Sequence, residues 1–150
     1  MKIILKIFFV VFCLIGFQKV FSQVGINTNT PLSTLDINGN LSIKTIGLPV
    51  NFNGGPPGFA TAIADGVYIS LMPTAGNNEF ILPDATTFPG RIYILRNISG
   101  IDDAKLYSFW GMFFAKDSNS ATAAPLTLPA NALLKTIIVI SDGVNWTYIF

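Results

Sequence analysis

The residues with the strongest chemical character are aromatic side chains in the sequence LYSFWGMFF, at positions 106–114. If this segment is one strand, Tyr107 and Phe109 share one face while Leu106 and Trp110 take the other. Because two apolar faces cannot both be solvated in a soluble monomer, we expect one in the core and one at a subunit contact. In the alternative, the aromatic rings form a binding face that stacks on sugar rings. The candidate ligand or subunit contacts are Tyr107, Phe109, Trp110, Phe113 and Phe114.

Catalytic groups are scarce in this chain. It has no histidine and a single cysteine, Cys13, which excludes Ser-His-Asp and Cys-His hydrolysis and histidine-ligated metals. The only adjacent carboxylates, Asp102 and Asp103, follow a Ser-Gly turn signal and are expected to point apart. We therefore predict no catalytic residues and no enzyme. A small glycan-active enzyme is the less favoured alternative, because glycoside hydrolysis needs two carboxylates about 5–9 Å apart across a cleft.

Metal and nucleic-acid binding have little support in the sequence. Residues 117–120, DSNS, begin like a calcium loop but lack the later ligands, the glycine and the distant glutamate of an EF-hand. We predict no metal and no cofactor, with a loop calcium site as the open alternative. No basic cluster is present, so the electrostatic requirement for nucleic-acid binding is not met.

The first 22 residues predict a secretory signal peptide. Lys2 and Lys6 precede an apolar run over 7–17, and Val20 and Ser22 suit cleavage before Gln23. An uncleaved N-terminal anchor is the alternative. Removing the segment takes three lysines and the cysteine away, which leaves six basic against eight acidic residues. We therefore expect a secreted or cell-surface protein whose mature chain has no transmembrane helix.

The remaining sequence predicts an all-β fold. Short runs rich in Val, Ile, Tyr and Phe alternate with turn signals, of which Asp142-Gly143 is the strongest for a hairpin. We expect an Asn/Thr-rich β stalk over 23–50, a Gly/Pro loop over 51–58 that hinges the two parts, and a compact domain over 59–150. This domain should be a small antiparallel β-sandwich or barrel. The predicted strands lie at 66–71, 79–82, 91–96, 105–110, 126–128, 134–141 and 145–150.

Three stretches carry a resemblance to known proteins. The stretch VGINTNTPLSTLDINGNLSI, residues 24–43, resembles a segment of bacterial surface proteins and phage tail-fibre-like proteins. FILPDATTFPGRIYILRNISG and TIIVISDGVNWTYIF resemble the β-rich tip modules of such proteins. The resemblance implies trimeric β-structured stalks and tips with no catalytic signature. The aromatic segment departs from it, since these modules often have a Gly/Thr-rich stretch there.

Low charge supports self-association independently of the resemblance. Charged residues make up 11% of the chain, against about 25% in typical soluble domains. A small β unit must cover or charge its edge strands, and association into a closed assembly covers edges and apolar faces together. We therefore expect a secreted, non-enzymatic structural or adhesion module that forms a homo-oligomer, with a trimer implied only by the resemblance. The alternative is a carbohydrate-binding module that uses Tyr107 to Phe114, with a surface glycan as its partner.

Overall fold

A computed structural model describes residues 3, 4, 6, 23–131 and 133–150, and it confirms the predicted all-β class. Apart from three positions, the predicted signal peptide lies outside the described residues. The chain forms two compact units, one ending at Ser42 and one spanning Ile43–Phe150. Within the described ranges, no helix is both long and apolar enough to cross a membrane.

The described part of the first unit contains two short strands. Strand β1 (Val24–Ile26) pairs in parallel with β2 (Leu35–Ile37). The connection is held by side chains of the Asn/Thr-rich sequence. The Asp36 carboxylate accepts a hydrogen bond from the Leu32 N–H at 2.8 Å, and the Asn27 amide donates to the Asn38 carbonyl at 3.1 Å. Asn27 has a φ of 58°, a left-handed conformation that asparagine tolerates better than most residues.

The second unit contains two sheets. The larger has the strand order β11-β10-β14-β13-β8-β6-β3, with β4 also beside β6, and the smaller has the order β12-β9-β7-β5. The described strands are β3 (Thr45–Ile46), β4 (Phe52–Asn53), β5 (Thr61–Ala62), β6 (Tyr68–Met72), β7 (Glu79–Asp84), β8 (Ile92–Asn97), β9 (Ala104–Trp110), β10 (Phe113–Ala115), β11 (Ala121–Thr122), β12 (Leu126–Leu128), β13 (Thr136–Ser141) and β14 (Trp146–Ile149), with a 3-10 turn at Leu133–Lys135.

The sheets are mixed, which corrects the expected antiparallel arrangement. From β5 to β9, successive strands alternate between the two sheets, so each strand lies parallel to the strand two positions earlier. This pairing arises because the connections after β6, β7 and β8 cross to the opposite sheet. The tight Asp142-Gly143 turn does form the predicted antiparallel hairpin between β13 and β14, with Gly143 at a φ of 94°.

One hydrophobic core lies between the two sheets. Phe52 of the larger sheet stacks on Phe80 of the smaller sheet, with 5.9 Å between ring centroids. The Asn97 amide, which is also buried, donates a hydrogen bond at 2.9 Å to the Leu128 carbonyl of the facing sheet. The other large core side chains come from both sheets and include Ile69, Leu71, Leu82, Tyr93, Leu95, Leu106, Phe113, Leu128, Val139 and Trp146.

The boundary between the two units differs from the expected one. Strands β3 and β4 pair with β6, and Ile46 and Phe52 pack against the core. Residues 43–58 therefore belong to the compact unit, and the Gly/Pro loop at 51–58 is part of its structure and not a hinge before it. All seven predicted strands are present in this unit. The strands that the sequence did not predict have only two or three residues each, and none of them stands out as a run rich in Val, Ile, Tyr and Phe between turn signals.

Candidate functional site

The aromatic segment divides at Gly111 into two strands in different sheets. Before the glycine, β9 belongs to the smaller sheet, and after it β10 belongs to the larger one. Gly111 has a φ of 96°, and a Cβ there would lie 2.7 Å from the Val144 carbonyl oxygen. Only glycine fits this reversal, because a side chain would meet backbone and the conformation disfavours L residues. The glycine was the sequence signal that the segment is not one strand.

This division separates the five candidate aromatic residues. Phe109 and Trp110 remain 72% and 63% exposed, and Tyr107 is half-buried. Phe113 is only 1% exposed and belongs to the core. It is therefore corrected as a candidate contact, since it has no surface to offer a ligand or a second subunit. Phe114 is half-buried in β10.

Phe109 and Trp110 lie at the end of β9, beyond the part that β12 covers. Strand β12 pairs with β9 only opposite Ala104 to Leu106, whereas β7 pairs with β9 as far as Trp110. One edge of β9 is thus uncovered after Leu106, within the part of the chain that the structure describes. The other edge is fixed by the ladder to β7, so the aromatic residues are held on a rigid strand.

Five large apolar residues line three neighbouring concavities that share Ser108, and we call them together the aromatic surface. The concavities have volumes of about 430, 430 and 350 Å³. One is bordered by Phe59 and Tyr107, and another by Trp110 and its neighbours. The aromatic surface comprises Phe59, Tyr107, Phe109, Trp110 and Met112.

A buried carboxylate lies in the concavity beside Phe59. Glu79 is 6% exposed, and its Oε1 accepts a hydrogen bond from the Tyr107 hydroxyl at 3.1 Å. Its Oε2 accepts one from the Gly58 N–H at 2.9 Å. Burial raises the pKa of the Tyr107 phenol, and the hydrogen bond to Glu79 raises it further. Sequence reasoning did not select Glu79, although it is the only glutamate in the chain and begins a strand of core residues.

The loop before β5 holds this carboxylate in place. The Gly55 N–H donates to the Glu79 carbonyl at 2.8 Å, and the Glu79 N–H donates to the Gly55 carbonyl at 3.0 Å. A Cβ on Gly55 would lie only 1.8 Å from the Phe59 carbonyl oxygen, so the turn needs glycine at this position. The Phe59 N–H donates to the Pro56 carbonyl at 2.9 Å. The Gly/Pro loop therefore positions both Phe59 and the groove beside Glu79.

Other carboxylates accept hydrogen bonds from residues of the fold. Asp103 accepts a hydrogen bond from the Ala130 N–H at 2.8 Å, and Asp84 accepts two from Thr86. In the segment 117–120, where a calcium loop was the alternative to the prediction of no metal, Ser118 and Ser120 hydrogen-bond to each other. No three His, Cys, Asp or Glu side chains come together as a metal-ligating group in the described part of the chain.

A second exposed apolar region lies on the outer face of the larger sheet, and we call it the aliphatic surface. Its residues follow the strand register, with Ile138 opposite Ile94 on one side and Ile149 on the other, and Ile140 opposite Ile92. Arg96 follows on the same face of β8. The aliphatic surface comprises Ile92, Ile94, Ile138, Ile140 and Ile149, all exposed or half-buried.

The chain matches no protein-family model, no curated protein and no solved structure.

Proposed function

We propose that this protein is a secreted, non-enzymatic structural and adhesion module that recognises its target through the aromatic surface. The observation that carries the proposal is the exposure of Phe109 and Trp110, which line one concavity at the end of a strand fixed by its ladder to β7. Contiguous exposed apolar patches mark interaction sites, whereas single exposed apolar residues are ordinary. Aromatic rings offer a large amphipathic contact area on a rigid base.

A non-enzymatic role is supported by the carboxylates of the groove. Glu79 is the only carboxylate among the residues that line the three concavities. Glycoside hydrolysis by the usual mechanism requires a pair. The sequence also has no histidine that could act as the base. A small glycan-active enzyme therefore remains the less favoured alternative.

The test compares Trp110→Ala with Ile101→Ala. Ile101 is a matched control, because it is exposed and apolar but does not line the aromatic surface. Retention of the full chain would be measured on immobilised polysaccharides and on protein-coated surfaces. We expect Trp110→Ala to lose at least tenfold in retention on the surface that the wild type prefers, and Ile101→Ala to lose little. Equal retention by both variants would contradict the proposal.

Self-association is the second part of the proposed function, and the aliphatic surface is the observation that favours it. Its five isoleucines lie in register across β8, β13 and β14, and they carry no group that needs hydrogen bonds from a ligand. Burial of apolar area contributes about 25 cal/mol per Å². A second copy of this chain is the occupant we propose for this face, in a homo-oligomer. A trimer is favoured only by the resemblance to tail-fibre-like proteins.

The test of self-association compares Ile138→Glu with Thr127→Glu by sedimentation velocity. Thr127 is an exposed strand residue of the other sheet, opposite Lys105, so a glutamate is tolerated there. We expect wild type and Thr127→Glu to sediment as oligomers and Ile138→Glu to sediment as a monomer, because a charge would be buried without a partner. A wild-type monomer at micromolar concentration would overturn this part of the proposal.

A further inference from the structure

We propose that the groove between Phe59 and Tyr107 is a subsite for one neutral sugar ring, with Glu79 as its hydrogen-bond acceptor. The groove is a concavity of about 430 Å³. This inference rests on the proposed function and names the class of ligand that the aromatic surface takes. Its lining consists of Gly58, Phe59, Ala60, Glu79, Ile81, Tyr107 and Ser108.

The first argument is the unused bonding capacity of Glu79. An ionised carboxylate offers about four lone-pair positions. The Gly58 N–H and the Tyr107 hydroxyl occupy one position on each oxygen. A buried carboxylate is stabilised by each further donor that it gains. Sugar hydroxyls are such donors, and a ligand in this groove lies against the residue that can accept them.

The second argument concerns charge. Lys105 is the cross-strand partner of Glu79, and alternation along β9 places it on the same face as Tyr107. The Lys105 ammonium is not within 4 Å of the carboxylate, because the ion pair found among the described residues is Lys44–Asp65. As cross-strand partners, the two side chains project from the same face of the sheet, and their formal charges cancel, which favours a neutral polar ligand over a cation or an anion.

The third argument is the aromatic side of the groove. Phe59 is 80% exposed and is held by the Gly/Pro loop at the border of the concavity. A sugar ring has an apolar C–H face that packs on an aromatic ring and a rim of hydroxyls that needs acceptors. The groove combines both features on neighbouring elements. Trp110 lines a separate concavity that shares Ser108 with the groove.

The experiment measures binding of neutral oligosaccharides to the full chain by titration calorimetry. The probes are gluco-, manno-, xylo- and chito-oligosaccharides, with an oligolysine peptide and an oligogalacturonate as charged comparisons. The variants are Glu79→Gln and Phe59→Ala, with Asp84→Asn as control because it makes the same acid-to-amide change on the same strand outside the groove. We expect at least a tenfold loss of affinity for Glu79→Gln and for Phe59→Ala, and no loss for Asp84→Asn.

The outcomes of these measurements distinguish failure of the subsite from failure of the proposed function. Phe59 is exposed, so Phe59→Ala tests the subsite even if Glu79→Gln unfolds. Sugar binding that is lost in Trp110→Ala but unchanged in both groove variants would overturn the subsite and leave the proposed function standing. Tighter binding of oligolysine than of any sugar would overturn the neutral-ligand assignment. Wild-type chain that is retained on no surface and binds no probe would overturn both proposals.

Discussion

The aromatic and aliphatic surfaces lie on different sheets of one unit and differ in regularity. The aliphatic surface follows the strand register without interruption, with Ile94, Ile138 and Ile149 opposite one another on three neighbouring strands. The aromatic surface is interrupted by the reversal at Gly111 and by the loop around Gly55. These irregular segments leave concavities, and one of them places the Glu79 carboxylate beside Phe59 and Tyr107.

The difference shows how one β unit can carry two kinds of contact. A regular ladder places equivalent side chains at equal spacing, which suits another copy of the same chain. A small ligand needs a concave site with a few fixed polar groups. Here the required irregularity comes from glycines that permit reversals and close backbone approaches. The following predictions test whether the two surfaces are separate, from the largest expected effect to the smallest.

The largest loss of stability is expected at Phe113, the core residue of the aromatic segment. Phe113→Ala should lower the free energy of unfolding by about 3–5 kcal/mol, because it leaves a cavity between the sheets. Phe109→Ala, an exposed aromatic in the same segment, should change it by no more than about 0.5 kcal/mol. Urea unfolding of both variants is the measurement. Similar losses would show that the division of the segment at Gly111 is wrong.

The second prediction concerns a substitution that should distort the aromatic surface and leave the aliphatic surface unchanged. Gly55→Ala should cost about 1–3 kcal/mol, because the new Cβ would collide with the Phe59 carbonyl. It should also weaken binding at the aromatic surface, with the sedimentation of the chain unchanged. Gly100→Ala is the control, since nothing lies within 4 Å of its Cβ position. Parallel loss of binding and self-association would mean that the two surfaces are coupled.

The third prediction compares two tyrosines. Tyr107→Phe should cost about 1–2 kcal/mol, because it removes a hydrogen bond to the buried Glu79 carboxylate. Tyr93→Phe should be neutral or slightly stabilising, since its buried hydroxyl has no hydrogen-bond partner among the described residues. Urea unfolding would compare both variants with the wild type. No loss for Tyr107→Phe would contradict the hydrogen-bond assignment at Glu79, and a clear loss for Tyr93→Phe would contradict the account of its hydroxyl.

The smallest effect is expected at an exposed ion pair beside the edge of the larger sheet. The Lys44 ammonium, followed by the Gly66 N–H, lowers the pKa of Asp65 below its usual 3.8. The stabilisation from Asp65 is therefore complete above this value and is lost as pH falls through the lower pKa of the folded state. The stability difference between wild type and Asp65→Asn should shrink as acid is added below about pH 4. Unfolding curves at a series of pH values measure it, and a difference that does not change with pH would contradict this account.

Prediction from sequence succeeded where the signal was local. Short runs rich in Val, Ile, Tyr and Phe between turn signals identified strands such as β7, β8 and β13, because these side chains favour an extended, half-buried backbone. The Asp142-Gly143 hairpin followed from turn chemistry alone. The parallel pairing of β6 with β8 had no local signal, since it joins strands through connections that visit the other sheet.

The candidate site was predicted only in part. The sequence identified the cluster of aromatic residues but treated Phe113 like Phe109, because composition does not reveal a reversal between them. Phe59 and Glu79 were missed because they join the site through a loop and a neighbouring strand. Their distance from Tyr107 along the chain hides their proximity in space.

By itself, the sequence determined the all-β class, the positions of the longer strands and the absence of histidine chemistry, because residue identity and short-range periodicity are enough for these. The tertiary structure decided which strands are neighbours, where the two units divide and which aromatic residues stay exposed. Exposure of Trp110 and burial of Glu79 depend on what the rest of the chain places over them. Contacts of this kind join residues distant in sequence, and only the folded chain brings them together.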